Sequence, residues 1–430
     1  MREKRPGGSG AAGPLPPARG PEPPAAHARL RFLPHAVLAA TVLLAVGVGL
    51  ALAAFLPLPN GPNDFNAPGF IVRNVWVKFA YLADPFRRDL SPAQKDRRVA
   101  RYFALNGLIA GKEREVGDPT TPPATVAADE QQLRTLRAER DRIQTDVEVI
   151  LEGRLTKVIK EVGLTRRAGG TIVWPPVDIV FQHPPEVLVT SPRDRIEIAS
   201  ESLLQGNLSI EKVQQIEKKA ESGGKTSAAV IQISGIAMYP AIIPRSGDYA
   251  GTLQDIAHEW THHYLFFTPL GRRYFENSQL TTLNETVANM VGRELGARLA
   301  KEYPLPDVPL PFPPAPAPPA PSPKVNFNKT MHDLRLRVEA LLRQGKIDEA
   351  ERDMEQTREY LAANGYYIRR INQAYFAFQG SYADTPGSID PIGPKLDQLR
   401  KDSPSLVSFV HIAQQLTSAA ALDRALTGAR

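Results

Sequence analysis

The sequence predicts an α+β fold, mainly helical, in which a small mixed sheet precedes one chemically marked helix and a helical subdomain follows it. Three observations predict it. Apolar residues recur at helical spacing through most of 72–162, short β-branched runs between Pro-rich turns fill 171–243, and helical spacing dominates after 250. A chain of 430 residues, 42% hydrophobic and 23% charged, has enough apolar material for two or three folded units. Cysteine is absent, which excludes disulfides, thiolate metal sites and cysteine nucleophiles.

Residues 1–33 are rich in Pro, Gly and Ala and read as a disordered tail, because they offer too little apolar surface to offset chain entropy. Residues 34–57 read as a transmembrane helix. Ala36–Leu56 runs 21 residues without a charge, and at about 1.5 Å per residue this matches a hydrocarbon core of roughly 30 Å. A cleaved signal peptide is the other reading, but the run and its leader are both long for one. Six Lys/Arg precede the run, and Arg73 alone falls in 57–76. The positive-inside rule then puts the N-terminus in the cytoplasm and the bulk of the chain outside, as a single-pass cell-membrane protein. The net charge of +6 is concentrated before residue 36, so no basic surface for nucleic acid is expected on the folded part.

Residues 58–165 read as a helical stalk or subdomain. Its helices are Val72–Leu82, Pro92–Glu113 with Ser91 as N-cap, and a long amphipathic helix over Asp129–Val162 closed by Gly163. Residues 166–300 read as an α/β core. Strands are expected at Thr171–Trp174, Val177–Phe181, Val187–Thr190, Arg195–Ala199, Ala228–Ile233 and Ile236–Ile243, the last two as a hairpin around Gly235. A short helix, Ile210–Glu221, starts at Ser209. Residues 301–325 form a Pro-rich spacer, with 11 prolines in 304–323, and 326–430 read as a helical C-terminal subdomain. There the helices are Lys329–Leu342, Ile347–Asn364, Tyr366–Gln379 and Ser405–Thr417.

The chemistry sits in GTLQDIAHEWTHHYLFF, residues 251–267. His258 and His262 are four apart, so on a helix they stack on one face and can reach one cation. Glu259 lies about 100° around the helix from His258. It cannot share the histidines' face as a third ligand, but it can hold a water beside the cation, which is the place of a general base. The following helix, LNETVANMVGRELG (283–296), offers Glu285 as the third ligand. Asn289, one turn on, is placed to hydrogen-bond a ligand histidine. By itself, a H-E-x-x-H string also fits a salt-bridged helix face with two stacked histidines.

HEWTH followed by NETVAN resembles the gluzincin zinc peptidases, the thermolysin-like group. The longer strings HEWTHHYL, LNETVANMVG and RRINQAYFAFQGSYAD are similar to uncharacterised membrane-anchored bacterial peptidases. The resemblance implies Zn2+ on His258, His262 and Glu285, Glu259 as general base, and a peptide or protein substrate. It implies that an edge strand before the metal helix, here Ile236–Ile243, binds substrate backbone. GIAMYPAI lacks the acidic residue with which aminopeptidase members hold a substrate amine. Hydrolysis also needs a donor to the developing oxyanion. Tyr375, Tyr382 and His411 are the candidates, and the resemblance favours Tyr382 and Tyr375. His263 is read as structural, and Arg369 and Arg370 as salt-bridge residues.

The expectation is a membrane-anchored extracytoplasmic zinc metallopeptidase, a hydrolase. Two other readings compete. One is a catalytically silent, membrane-tethered interaction module with a structural metal. The other is a zinc amidase acting on envelope material.

Overall fold

A computed structural model describes residues 59, 61–84, 89–167, 171–312, 325–385 and 388–428, all within the unit Gly49–Arg430. The tail 1–33, the run 34–57 read as a span, and 313–324 of the spacer lie outside the described residues. Among the described residues, no helix is long and apolar enough to cross a membrane.

Helix and sheet are mixed, with helix dominant. Among the described residues three helices come first: α1 (Ala67–Ala83), α2 (Pro92–Gly117) and α3 (Pro123–Val162). Their ends follow local chemistry. Ser91 and Gln94 form a reciprocal capping box on α2, and Gly163, at φ 84°, closes α3 in the left-handed conformation that costs glycine no Cβ clash. Seven strands follow: β1 (Arg166–Arg167), β2 (Thr171–Ile172), β3 (Ile179–Phe181), β4 (Glu186–Pro192), β5 (Ser200–Leu204), β6 (Thr226–Gln232) and β7 (Ala241–Ile243), with α4 (Ile210–Ala220) before β6. They make three separate pieces. β1 and β2 pair antiparallel, β3 and β7 pair parallel, and an antiparallel sheet runs in the order β5-β4-β6.

Two strand expectations are corrected. Arg195–Ala199 is irregular rather than a strand, following a turn at 193–194. The Ser191 hydroxyl accepts from Glu197 N at 3.2 Å, and the ladder to β4 resumes only at Ser200. β6 and β7 do not form a hairpin, because β6 pairs with β4 while β7 crosses to β3.

The helices α5 (Tyr249–Phe266), α6 (Pro269–Arg272) and α7 (Ser278–Glu302) follow. The C-terminal part is α8 (Phe327–Arg343), α9 (Ile347–Ala363), α10 (Gln373–Gln379), α11 (Ile392–Asp402), α12 (Leu406–Ala413) and α13 (Ala419–Thr427). The helix expected over Tyr366–Gln379 begins only at Gln373. Asn372 caps it by accepting from Tyr375 N, and the preceding Arg369 and Arg370 reach Glu217 and Glu221 instead.

One hydrophobic core unites segments far apart in sequence, including Val99 and Leu105 of α2, Leu151 and Ile159 of α3, Phe181, Ile243, Trp260, Leu283 and Phe409. The long helix α3 therefore belongs to the same core as α5 and α7 and does not stand apart as a stalk. Leu151, Leu155, Val158 and Ile159 are buried to within 1% exposure, each contributing on the order of 2 kcal/mol. Leu305 and Phe312, at the start of the Pro-rich segment, also pack on this core. A second cluster joins α8 and α9 through Leu334, Val338, Met354 and Leu361.

Candidate metal centre

The site is built where α5 and α7 cross. Asp248 caps α5 by accepting from Gly251 N at 3.0 Å, and Asn277 caps α7 by accepting from Leu280 N at 3.0 Å. The two axes approach closely because α7 presents glycines to α5. A Cβ on Gly292 would lie 3.0 Å from the His258 Cβ, and one on Gly296 would lie 2.7 Å from the Gln254 Cα. Glu285, two turns before Gly292, is thereby carried against the histidines.

His258, His262 and Glu285 form a group that can hold a metal ion. His258 Nε2 and His262 Nε2 are 3.0 Å apart, and Glu285 Oε2 lies 3.6 Å from the first and 3.4 Å from the second. Ligands about 2.05 Å from a tetrahedral ion stand roughly 3.3 Å from one another, so this triangle has the dimensions of three ligands on one ion. Glu285 Oε2 is buried without a hydrogen-bond partner among the described residues. Such an orphaned carboxylate oxygen, facing two imidazole nitrogens, would be satisfied by a cation between them.

Two of the three ligands are held from behind, whereas His258 Nδ1 is buried with no hydrogen-bond partner among the described residues. The His262 Nδ1–H donates to Asn284 Oδ1 at 2.8 Å, which leaves the Nε2 lone pair for the ion. The Tyr274 hydroxyl donates to Glu285 Oε1, so that Oε2 alone faces the histidines. Burial works against a charged His262, but the Glu285 charge, with Glu259 and Asn284, outweighs it and raises the imidazole to about 9, so an ion bound at Nε2 would displace a proton from it. The same burial opposes ionised Glu285, and His262 and His258 overcome it, holding the carboxyl well below the usual range.

Glu259 is 4% exposed and stands beside the triangle. Its carboxylate rests on the backbone of Gly235, where a Cβ would lie 2.4 Å from Oε1. Burial raises its pKa, offset in part by His258 and His262. Tyr382 is also present. Its ring centroid is 6.4 Å from that of His258, and burial, Glu285 and Glu259 push its hydroxyl well above its ordinary value.

The other expected residues lie elsewhere. Asn289 does not reach a ligand histidine. Its side-chain amide donates to Asp384 Oδ1 at 3.1 Å, and Arg293 pairs with the same carboxylate. Together with Ala383 N, which donates to Thr286 Oγ1 at 3.1 Å, these contacts fasten the segment carrying Tyr382 to α7. Tyr375 is not brought to the metal group. It packs on the second core cluster beside Phe376, and burial pushes its hydroxyl up to about 12. His411 is exposed on α12.

Compared with known proteins, the chain matches no family model, no curated protein and no solved structure.

Of the stretch expected to be an edge strand, only Ala241–Ile243 is a strand, lying between β3 and Ile236 of the same stretch. Ile236 and Ile242 exchange backbone hydrogen bonds at 3.1 Å, and Ala241 N and Ile243 O face β3. His263 pins this turn to α5, as its Nε2–H donates to Met238 O at 2.8 Å and its ring lies 5.5 Å from Tyr239. The outer edge of β6 is covered as well. Val230 N and Ala228 N donate to Glu217 and Glu221, while Arg369 and Asn372 donate to Val230 O and Ala228 O. Arg369 and Arg370 are thus salt-bridge residues, as read.

Sequence reasoning missed Asn284, Tyr274 and Asp255. Asn284 had a signal, since it directly precedes Glu285 in the same string. Tyr274 had none, because it stands in the turn after α6, outside any periodic pattern. Asp255 lies one turn before Glu259 on α5, and burial and the Glu259 charge raise it to about 7.

Proposed function

We propose that this chain is a membrane-anchored, extracytoplasmic zinc-dependent peptidase of gluzincin type. The observation that supports it most is the triangle of His258 Nε2, His262 Nε2 and Glu285 Oε2, with Glu259 at its side. Two imidazoles and one carboxylate are a donor set that suits zinc and leaves a position open. Such an ion supplies a Lewis acid for a carbonyl and acidifies a water to a pKa of about 7.

The protein's own groups do the rest. Glu259, its basicity raised by burial, takes a proton from the attacking water and returns it to the departing amine. Tyr382 keeps its proton far above neutral pH and donates it as a hydrogen bond to the oxyanion of the scissile carbonyl. Tyr274 and Asn284 hold Glu285 and His262 in their bound orientation. The uncharged run within 34–57 ties this domain to the outer face of the membrane.

The test uses the purified full chain, with metal content measured beside cleavage of a peptide library followed by mass spectrometry. Glu259→Gln should retain one zinc and lose turnover, and His262→Ala should lose both. Full turnover by Glu259→Gln would refute the mechanism. Metal retention without cleavage in the unsubstituted protein would refute the peptidase reading.

A further inference from the structure

Helix α1 carries apolar residues on both of its faces. Ala67, Phe70 and Ile71 are buried, and Phe70 and Ile71 pack with Val180 of β3 and Ile242 of β7. On the opposite side Gly69, Val72, Arg73, Trp76, Val77 and Ala80 are exposed, at steps of three and four residues that make one stripe. Val72 is 47%, Trp76 66% and Val77 47% exposed. The stripe contains one cation, Arg73, and no Asp or Glu. Lys78 and Asn74 of this helix turn inward, Lys78 to Glu152 and Asp178, so the outward stripe is left mostly apolar. A surface helix usually turns polar residues outward, and such a stripe calls for a second apolar surrounding.

The chain itself says what that surrounding is. The uncharged run Ala36–Leu56 ends seven residues before Asn63, and Asn63 is fixed to the sheet, its carbonyl accepting from Gln205 N at 2.7 Å. Seven extended residues reach at most about 25 Å, so a run inserted in a bilayer holds Asn63, four residues before α1, within that distance of the lipid surface. Trp, aliphatic residues and one Arg form the composition of a helix seated among headgroups. The indole lies at the interface, the aliphatic chains below it, and the guanidinium reaches lipid phosphate.

We infer that the outer stripe of α1 lies in the headgroup region of the bilayer, as a second membrane contact beside the span. This rests on the membrane-anchor reading of 34–57. Its consequence is orientation. The inner face of α1 packs on the β3–β7 pair, and β7 continues from the turn that His263 pins to the metal helix. A seated α1 therefore fixes how the metal group faces the membrane, where a flexible tether alone would leave it free to tumble.

The absence of cysteine makes a direct test simple. Single variants Val72→Cys, Val77→Cys, Glu359→Cys and Leu44→Cys of the full chain carry a nitroxide label in vesicles of phosphatidylcholine and phosphatidylglycerol. The readout is accessibility to oxygen against a water-soluble nickel complex. Labels at 72 and 77 should show an oxygen-to-nickel ratio several-fold above the exposed control at 359. Aqueous values at 72 and 77 with a lipid value at 44 would overturn the seating of α1 and leave the anchor intact. Aqueous values at all three would overturn both. A lipid value at 72 and 77 with an aqueous value at 44 would support the seating and remove the span. Spin–spin broadening at 72 and 77 in place of a lipid value would show a second copy on the stripe and overturn lipid as its occupant.

Discussion

The backbone of Gly235 carries the carboxylate of Glu259: a single methyl added at residue 235 would stand 2.4 Å from Oε1 and 2.9 Å from the carboxyl carbon. The proposed base is thus positioned by a residue whose only contribution is the lack of a side chain. Gly235→Ala should displace Glu259 and leave the three ligands in place. The expected loss of turnover is on the order of 100-fold, with zinc content unchanged. Metal analysis beside a peptide-cleavage assay checks both halves. Unchanged turnover would mean that Glu259 is not held from this side.

The two tyrosines should separate. Tyr274 donates to Glu285 and Tyr382 stands over His258. Tyr274→Phe should weaken zinc affinity roughly 10- to 100-fold, as loss of a hydrogen bond to a ligand does. Tyr382→Phe should keep the ion and lower kcat by about 100-fold. Competition titration with a chelating dye and steady-state kinetics on the same two proteins give the comparison, and equal effects on both quantities would contradict the assignment.

Asp255 predicts a pH effect on stability. Its carboxyl has a raised pKa of about 7, burial being the larger cause and Glu259 the next. A carboxyl with a folded pKa above its unfolded value binds more protons when folded, so its contribution falls as pH rises from about 4 to about 7. Asp255→Asn removes that penalty. It should flatten the thermal-stability profile across this interval and raise the midpoint at pH 8, by up to a few kcal/mol of unfolding free energy. An Asn variant with the parent's slope would show that Asp255 is ionised at low pH in the folded chain.

Glu217 is 3% exposed at its side chain and binds Arg369, Arg370 and the Val230 N–H together. Glu217→Ala leaves the Val230 amide without its acceptor and takes one acceptor from each guanidinium, Arg369 keeping Val230 O and Arg370 keeping Glu221. The expected cost is about 1–3 kcal/mol in denaturant unfolding, chiefly from the buried amide left without its acceptor. Because the same carboxylate covers the outer edge of β6, this variant should also aggregate more readily on refolding. A cost below about 1 kcal/mol would mark the cluster as solvent-screened.

Local signals made much of this readable in advance. Ser91 with Pro92, Gly163 and Ser209 mark helix ends through their own side chains or backbone, and each end falls where those residues put it. The grouping of His258 with His262 needs only the helical repeat. The mistakes share one cause. Asn289 shares a helix face with Glu285, yet its amide is engaged by Asp384, 95 residues on, and His262 reaches Asn284 instead, pairings that no single segment records. The hairpin between 228–233 and 236–243 failed for the same reason, since the partners of β6 and β7 are β4 and β3, tens of residues away. Tyr274 enters only because a turn after α6 folds back over Glu285.

The glycine-lined crossing of α5 and α7 has one more consequence. All three donors ride on two rigid rods whose contact is made by backbone, so the cradle is complete before any ion arrives. Chelation should then leave the far-ultraviolet circular dichroism at room temperature unchanged and lower only the melting midpoint, in proportion to the logarithm of ion concentration. Such behaviour would set the chain apart from a zinc finger, whose fold forms only around its metal.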